Sequence, residues 1–313
     1  MEAPLLGVVA SVDPPVPDEV RRLLARHSAS RGHAGLSESR LRALDAAASD
    51  GGGLVAVSAR RSDDGTLVGW AQIDDGGDGR DPTLEVLALD GTGGNGGPLV
   101  DLLADAVLAE LGPGAETPVR WWVSHADDSD DARAVARGFR VERDLLQLRC
   151  PLPLPGRDGR VAHPDVATRA FRVDGDEPGW LLQNNRAFAD HPEQGHWDLP
   201  TLREREREAW FDPEGFRVLE VDGRIAGSCW TKVHATDPPL GEIYVIGVDP
   251  DFHGRGWGRA LTEAGFDWLA GAGLTQGMLY VDAANAPAVG LYRSMGLTTH
   301  HVDRAYVRGP EPD

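Results

Sequence analysis

Cysteine is nearly absent from this 313-residue chain: Cys150 and Cys229 are the only two, and they stand far apart. So sparse a set excludes a CxxC motif and a four-ligand zinc site, suits a reducing compartment, and leaves both thiols inert. Basic charge is also short. Thirty-one Lys and Arg face 50 Asp and Glu, for a formal charge of −19. That excess repels phosphate backbones and anionic membranes. With no basic patch to offset it, no nucleic-acid partner is expected, and a small neutral or cationic substrate suits the chain better. Acidity serving only solubility fits the same number. No apolar run approaches the ~20 residues that span a bilayer, and MEAPLLGVVASVDPPVPDEV has no basic n-region. The expectation is a cytoplasmic protein, monomeric and not bound to membrane.

What is present argues for folded domains. Hydrophobic residues make up 41% of the chain with nine Trp, and the length leaves room for two domains, while 39 Gly and 22 Pro imply long turns and linkers. Helical periodicity runs through EVRRLLARHSAS and LSESRLRALDAAA. LVAVSAR and TLVGWAQID form a hairpin across Asp63, Asp64 and Gly65. A strand TLEVLALD, a helix LVDLLADAVLAEL after GTGGNGGP, a strand PVRWWVSHAD and a helix DDARAVARGF lead to DLLQLRC. Residues 150–164 have the proline and glycine density of a linker. Beyond it, VATRAFRVD starts a second series: a charged helix LREREREAWF, a hairpin turned at Asp222 and Gly223, and strand, helix, strand, helix, strand to the end.

The two series repeat each other. Gly69 answers Gly227, Trp122 answers Tyr280 and Gly138 answers Gly296, each 158 residues on, and Asp90 answers Pro250 at 160. Four landmarks at nearly one offset, in one element order, indicate a tandem duplication. The chemistry differs between the copies: Asn285 and Tyr292 stand where the first has Asp127 and Ala134.

The sharpest local signal is GEIYVIGVDPDFHGRGWGRAL, residues 241–261. A β-branched run empties into a turn whose Gly254, Gly256 and Gly258 leave backbone N–H groups unshielded where a helix begins. Such N–H groups and the helix dipole make a cradle for a diphosphate. A tight strand-to-helix corner without a ligand fits the glycines equally.

This stretch resembles the acetyl-CoA signature of the GCN5-related N-acetyltransferases (GNATs), a strand followed by Gln/Arg-x-x-Gly-x-Gly/Ala. His253, Gly256 and Gly258 occupy its positions, with His253 departing from the usual Gln or Arg. HPEQGHW, EAWFDPEG, WTKVH and LYVDAAN resemble the tandem-domain members that complete the thiol mycothiol, and the likeness runs over essentially the whole chain. The resemblance implies an α/β fold of two tandem domains, each a splayed mixed α+β sheet flanked by helices. Residues 1–149 would form a non-catalytic domain, and 165–313, after the linker, the catalytic one. It also implies acetyl transfer from acetyl-CoA, with no metal, to the cysteine amine of cysteinyl-glucosaminyl-inositol. Another small amine or a protein N-terminus is the alternative acceptor, and a non-enzymatic acyl-CoA sensor a third reading.

Roles follow residue by residue. Amide formation needs a free amine, so Glu242 is the candidate base, although a solvated strand-end carboxylate is the ordinary fate of Glu. A backbone N–H of Ile246, Gly247 or Val248 is suited to polarise the thioester carbonyl, and Gly247 inside a strand suggests a bulge there. The turn Gly254, Arg255, Gly256, Trp257, Gly258 and Arg259 would hold the diphosphate. Tyr292 matches the family's general acid, against the default of a core tyrosine. Asn285 would contact pantetheine, cap a helix, or both. Glu193, Lys232 and Tyr280 match acceptor contacts of the family, as does Glu38 in the first half. Val86, Leu87 and Ala88 would offer a strand edge to a second acetyl-CoA.

Overall fold

A computed structural model describes residues 7–12, 14, 16–31, 35–50, 53–74, 81–89, 97–111, 118–155, 166–189 and 194–309, the side chains of Arg31, Glu38, Ser39 and Asp50 excepted. Contacts divide the chain into two units, residues 1–144 with 302–313, and residues 145–301.

In the first unit, β2 (Leu54–Arg61) and β3 (Leu67–Asp74) form the hairpin expected from the Asp-Asp-Gly turn. With β1 (Val8–Val12), β4 (Thr83–Ala88), β5 (Val119–Val123) and β12 (Thr298–Arg308) they run in the order β1-β2-β3-β4-β5-β12. Only β4 and β5 pair in parallel. Helix α3 (Gly97–Ala109) packs its Leu99, Leu103 and Val107 into one core, and a second core gathers Val20 and Leu23 of α1 (Pro17–Arg31) with Leu44 of α2 (Glu38–Asp50). Covered on both faces, β3 is buried almost throughout, which is why LVGWAQID lacks a polar alternation. Helix α4 (Asp128–Ala136) starts from a capping box between Asp127 and Asp130. The last strand is bound here by charge and burial together. Arg304 forks onto Asp131 at 2.6 and 2.8 Å and onto Asp144 at 2.7 and 3.1 Å, while Tyr306, 1% exposed, donates to Asp131 at 2.8 Å.

The second unit holds the end of β6 (Arg140–Pro151), β7 (Thr168–Ala170), α5 (Glu177–Ala187), α6 (Leu199–Glu206), β8 (Phe216–Val221), β9 (Arg224–His234), β10 (Leu240–Val248), α7 (Trp257–Gly271), β11 (Gln276–Asp282) and α8 (Ala286–Ser294). Its strand order is β6-β11-β10-β9-β8-β7, and only β10 and β11 pair in parallel. Asp222 and Gly223 both have positive φ between the paired Val221 and Arg224, the primed two-residue turn that suits strand twist. The charged helix lies earlier than LREREREAWF suggests. Asp198 caps it by accepting from the Thr201 amide at 2.8 Å, so it starts at Leu199 and ends at Glu206. Trp210 and Phe211, placed in that helix by periodicity, instead join an aromatic core. There Phe216 lies between Phe171 and Trp230, with ring centroids 4.3 and 4.4 Å away. Burying each such ring contributes roughly 2–3 kcal/mol. The opposite face is closed by Leu261, Phe266 and Leu269 of α7. Among the described residues, no helix is long and apolar enough to cross a membrane.

Candidate active site

The site is built where two neighbouring strands part. β10 pairs with β11 only through Gly241, Glu242 and Ile243, opposite Gly277, Met278 and Leu279. β10 stays paired with β9 on its other side as far as Val248, with a register shift between Ile243 and Val245. A bulge at Tyr244 bends the strand away from β11 and leaves Ile246, Gly247 and Val248 with a free edge. The bulge expected at Gly247 therefore lies three residues earlier. Gly247 pairs regularly with Ser228, and its lack of a side chain serves packing. A Cβ there would stand 3.1 Å from Gln183 Nε2 and 3.2 Å from both Ala187 and Phe188, so α5 and its C-cap approach the strand closely.

The turn that follows is held from behind. Asp249, 1% exposed, takes a fork from Arg186 at 2.9 and 3.2 Å and accepts from the Asp251 amide at 2.9 Å. Burial pulls its pKa upward, but those bonds outweigh it and keep the carboxyl below its usual range. His253 turns its ring back, with Nε2 3.0 Å from the Val248 carbonyl. Gly256 caps α7 with φ 77°, a left-handed conformation, and no side chain bonds the helix's first amides. Those N–H groups and the positive end of a 15-residue helix face the opening. The Arg255 guanidinium lies over Phe252 at 5.3 Å and Trp257 at 5.2 Å, rings themselves stacked, and Arg259 ties α7 to Ser294 of α8. Gly258 passes α8 at ordinary contact, a Cβ there falling 3.6 Å from Leu291.

Glu242 sits at the fork of the strands, 7% exposed. Its register partners are Lys232 on β9 and Met278 on β11. Lys232 is the only lysine in the chain. It is buried, with Nζ 4.8 Å from the Trp210 ring and 5.5 Å from that of Tyr244. Two residues along β11, Tyr280 accepts from Gln147 Nε2 at 2.7 Å, and Gln147 Oε1 accepts from Arg149 at 2.7 Å. Arg149 is opposite Met278, so Lys232, Glu242, Met278 and Arg149 form one row across β9, β10, β11 and β6. Gln147 and Arg149 escape a reading of the sequence, because β6 lies more than a hundred residues before its partner strand. His234 escapes it too: its Nε2 is 2.6 Å from Glu242 Oε2, a contact two strands create and no spacing announces.

Tyr292 lies on α8, 7% exposed, and burial pushes its phenol well above the usual range, so the hydroxyl stays protonated. Asn285 caps α8, accepting from the Ala288 amide at 3.2 Å. Glu193 falls outside the described residues, as does the side chain of Glu38, whose backbone opens α2.

The first unit repeats the splay with different side chains around it. β4 pairs with β5 only from Thr83 to Glu85, leaving Val86, Leu87 and Ala88 beyond the parallel ladder. Its ladder with β3 runs without a register shift. Thr83 pairs with Asp74 and Arg120, which stand 158 residues before the partners of Glu242, Lys232 and Met278. The structure thus sets a threonine in the place of Glu242, and the buried Ala134 in that of Tyr292. The glycine-rich turn at 91–96 lies outside the described residues.

A model of the acetyltransferase (GNAT) family matches residues 183–297. The mycothiol acetyltransferase of Thermomonospora curvata is 44% identical over 253 residues, covering 79% of this chain and 81% of its own. That of Geodermatophilus obscurus is 39% identical, with 98% of each chain covered. Among solved structures, a GCN5-related N-acetyltransferase from Sphaerobacter thermophilus shares the fold with a TM-score of 0.69 at 23% identity, over 98% of this chain and 97% of the other. A tandem GNAT protein from the clavulanic acid biosynthesis pathway does so at 0.63 and 16%, over 97% and 100%.

Proposed function

The chain belongs to the mycothiol acetyltransferases of the GNAT family, and from that premise we propose that it moves acetyl from acetyl-CoA to the cysteine amine of cysteinyl-glucosaminyl-inositol. It is an N-acetyltransferase. The observation that carries the specific reading is the parting of β10 from β11 beside a buried carboxylate, in front of a helix with uncapped amides. The pantetheine arm adds to the free edge at Ile246–Val248, and the diphosphate rests on the amides of residues 254–259. One of the strand's N–H groups then faces the thioester oxygen.

Glu242 takes the proton from the acceptor's ammonium, and the freed amine attacks the thioester carbon. The tetrahedral intermediate collapses as its C–S bond breaks; the Tyr292 hydroxyl protonates the departing thiolate, and the proton that the nitrogen sheds on becoming an amide restores the phenol. The row from Lys232 to Arg149, with Tyr280 beside it, supplies donors and acceptors for a hydroxyl-rich sugar and inositol, joined by Glu193. The first unit does no chemistry; its edge at Val86–Ala88 holds a second acetyl-CoA without turnover. The protein acts as a cytoplasmic monomer. Incubation with acetyl-CoA and cysteinyl-glucosaminyl-inositol, followed by CoA release and product mass, tests the assignment. Turnover on a polyamine or peptide, with none on this acceptor, overturns it.

A further inference from the structure

From the row that crosses β9, β10, β11 and β6 we infer that Arg149 is a specificity-determining residue: its guanidinium takes two oxygens of the acceptor's hydroxyl-rich tail and turns away acceptors that carry a second positive charge. The inference rests on the acetyl transfer proposed above, with Glu242 at the reacting amine, and adds what that amine must carry behind it. Arg149 on β6 is opposite Met278 on β11, and Met278 is opposite Glu242 on β10. Register partners share a face. Neighbouring strands stand ~4.8 Å apart, which puts Arg149 about 10 Å along the sheet from the carboxylate. An acceptor whose ammonium meets Glu242 therefore brings to Arg149 the part of its tail that lies that far from the nitrogen.

The guanidinium is oriented by the fold. Its Nε donates to Gln147 Oε1 at 2.7 Å, and Gln147 Nε2 donates to the Tyr280 hydroxyl at 2.7 Å. Arginine has no acceptor, so the buried Gln147 amide cannot turn over without losing its bond to Nε. With Nε committed, Nη1 and Nη2 form the edge that remains, a planar fork matched to two adjacent oxygens. Among the described residues Arg149 has no ion pair. It is half-buried, and burial lowers its pKa with Tyr280 acting the other way and no carboxylate joining in. Burial and then the charge of Arg149 hold the neighbouring His300 ring below its usual range, so its field is felt on this face. A half-buried cation of this kind is satisfied by hydroxyl oxygens and made worse by an ammonium. An anionic tail would suit the fork as well, but the chain's charge of −19 opposes it. At the far end of the row Lys232 adds a second cation, so the row admits one positive charge, at Glu242, between two of its own.

Two measurements test this on the full-length protein. In the first, calorimetry with CoA present compares two ligands that differ at one end: the cysteine amide of putrescine, whose tail ends in an ammonium, and that of aminobutanol, whose tail ends in a hydroxyl. The wild type should bind the hydroxyl-ended ligand roughly tenfold tighter or more. Arg149→Met should shrink that ratio to below about threefold, whereas Arg149→Lys, which keeps the charge, should preserve it. Equal binding of the two ligands by the wild type overturns the inference, and so does an undiminished ratio in Arg149→Met. In the second, steady-state kinetics on cysteinyl-glucosaminyl-inositol should show kcat/KM lower by about 10–100-fold in Arg149→Met, with the larger part of the loss in KM, and a loss in Arg149→Lys as well, because lysine lacks the fork. A loss carried by kcat alone would assign Arg149 a structural role and overturn its grip on the tail. The wild-type comparison of the two amides needs no variant to fold and no turnover. A wild type that discriminates between them yet fails on cysteinyl-glucosaminyl-inositol sinks the proposed reaction and leaves the charge selectivity standing.

Discussion

Glu242 illustrates how one side chain changes meaning with its register. As a letter in GEIYVIGV it is a strand-end carboxylate with solvent as its natural partner. In the fold it is buried between Lys232 and Met278, at the residue pair before the parallel ladder ends. Glu242→Gln keeps the shape and removes the proposed base. It should lower kcat/KM by about 10²–10⁴ with the melting temperature unchanged, as steady-state kinetics and calorimetry will show. The thiols make a second prediction at this scale. Burial pushes Cys150 up to about 12 from 9.0, and drives Cys229 and the Tyr292 phenol higher still from 9.0 and 10.0. The folded chain therefore keeps protons that the unfolded chain releases above about pH 9, so these groups stabilise the fold fully below that pH. Their contribution is lost as pH rises from about 9 toward 12 and beyond. Urea midpoints should fall steadily over that alkaline range, and neither thiol should react with a disulfide reagent at pH 8 until urea unfolds the chain.

At the scale of elements, the pairing of β10 decides the site, and Gly247 sets how closely α5 rides on it. Gly247→Ala places a methyl 3.1–3.2 Å from Gln183, Ala187 and Phe188. Overpacking of that kind should cost about 1–3 kcal/mol in urea unfolding. By shifting the strand edge it should also raise KM for acetyl-CoA more than it lowers kcat. A wild-type KM would mean that α5 gives way and the strand does not. Much at this scale is legible in the sequence: Asp222–Gly223 and Gly65 mark hairpins because these residues accept positive φ, and the glycines at 254–258 announce an uncapped helix start. The bulge lies away from Gly247 for a physical reason. Glycine marks both bulges and close approaches, and the sequence of β10 does not disclose the helix that packs on it. The charged helix slipped likewise, since its start is fixed by the Asp198 cap and not by the later Arg-Glu periodicity.

For the whole molecule, chain order and compact units part company. The repeat at 158 residues divides the sequence near the proline-rich stretch. Contacts instead give residues 302–313 to the first unit and begin the second at Leu145. Strand pairing is the cause. β12 lies against β5 from Arg304 to Arg308, anchored by the forks of Arg304, and β6 lies against β11 from Leu145 to Pro151. No local pattern encodes this, because any buried strand of suitable composition satisfies a β11 or β5 edge as far as propensity goes. The consequence is testable with two fragments. One comprising residues 165–313 carries Glu242, Tyr292 and the glycine turn but lacks the strand that covers β11 and supplies Gln147 and Arg149 to its face. An uncovered central strand is an edge that pairs with other copies, so this fragment should aggregate or remain unfolded. A fragment of residues 145–301 keeps every strand of the second unit and should be the better folded of the two. Circular dichroism, size-exclusion chromatography and cooperative urea unfolding decide it. A monomeric, cooperatively folded 165–313 would show that β6 is dispensable and that the sequence boundary is also the folding boundary.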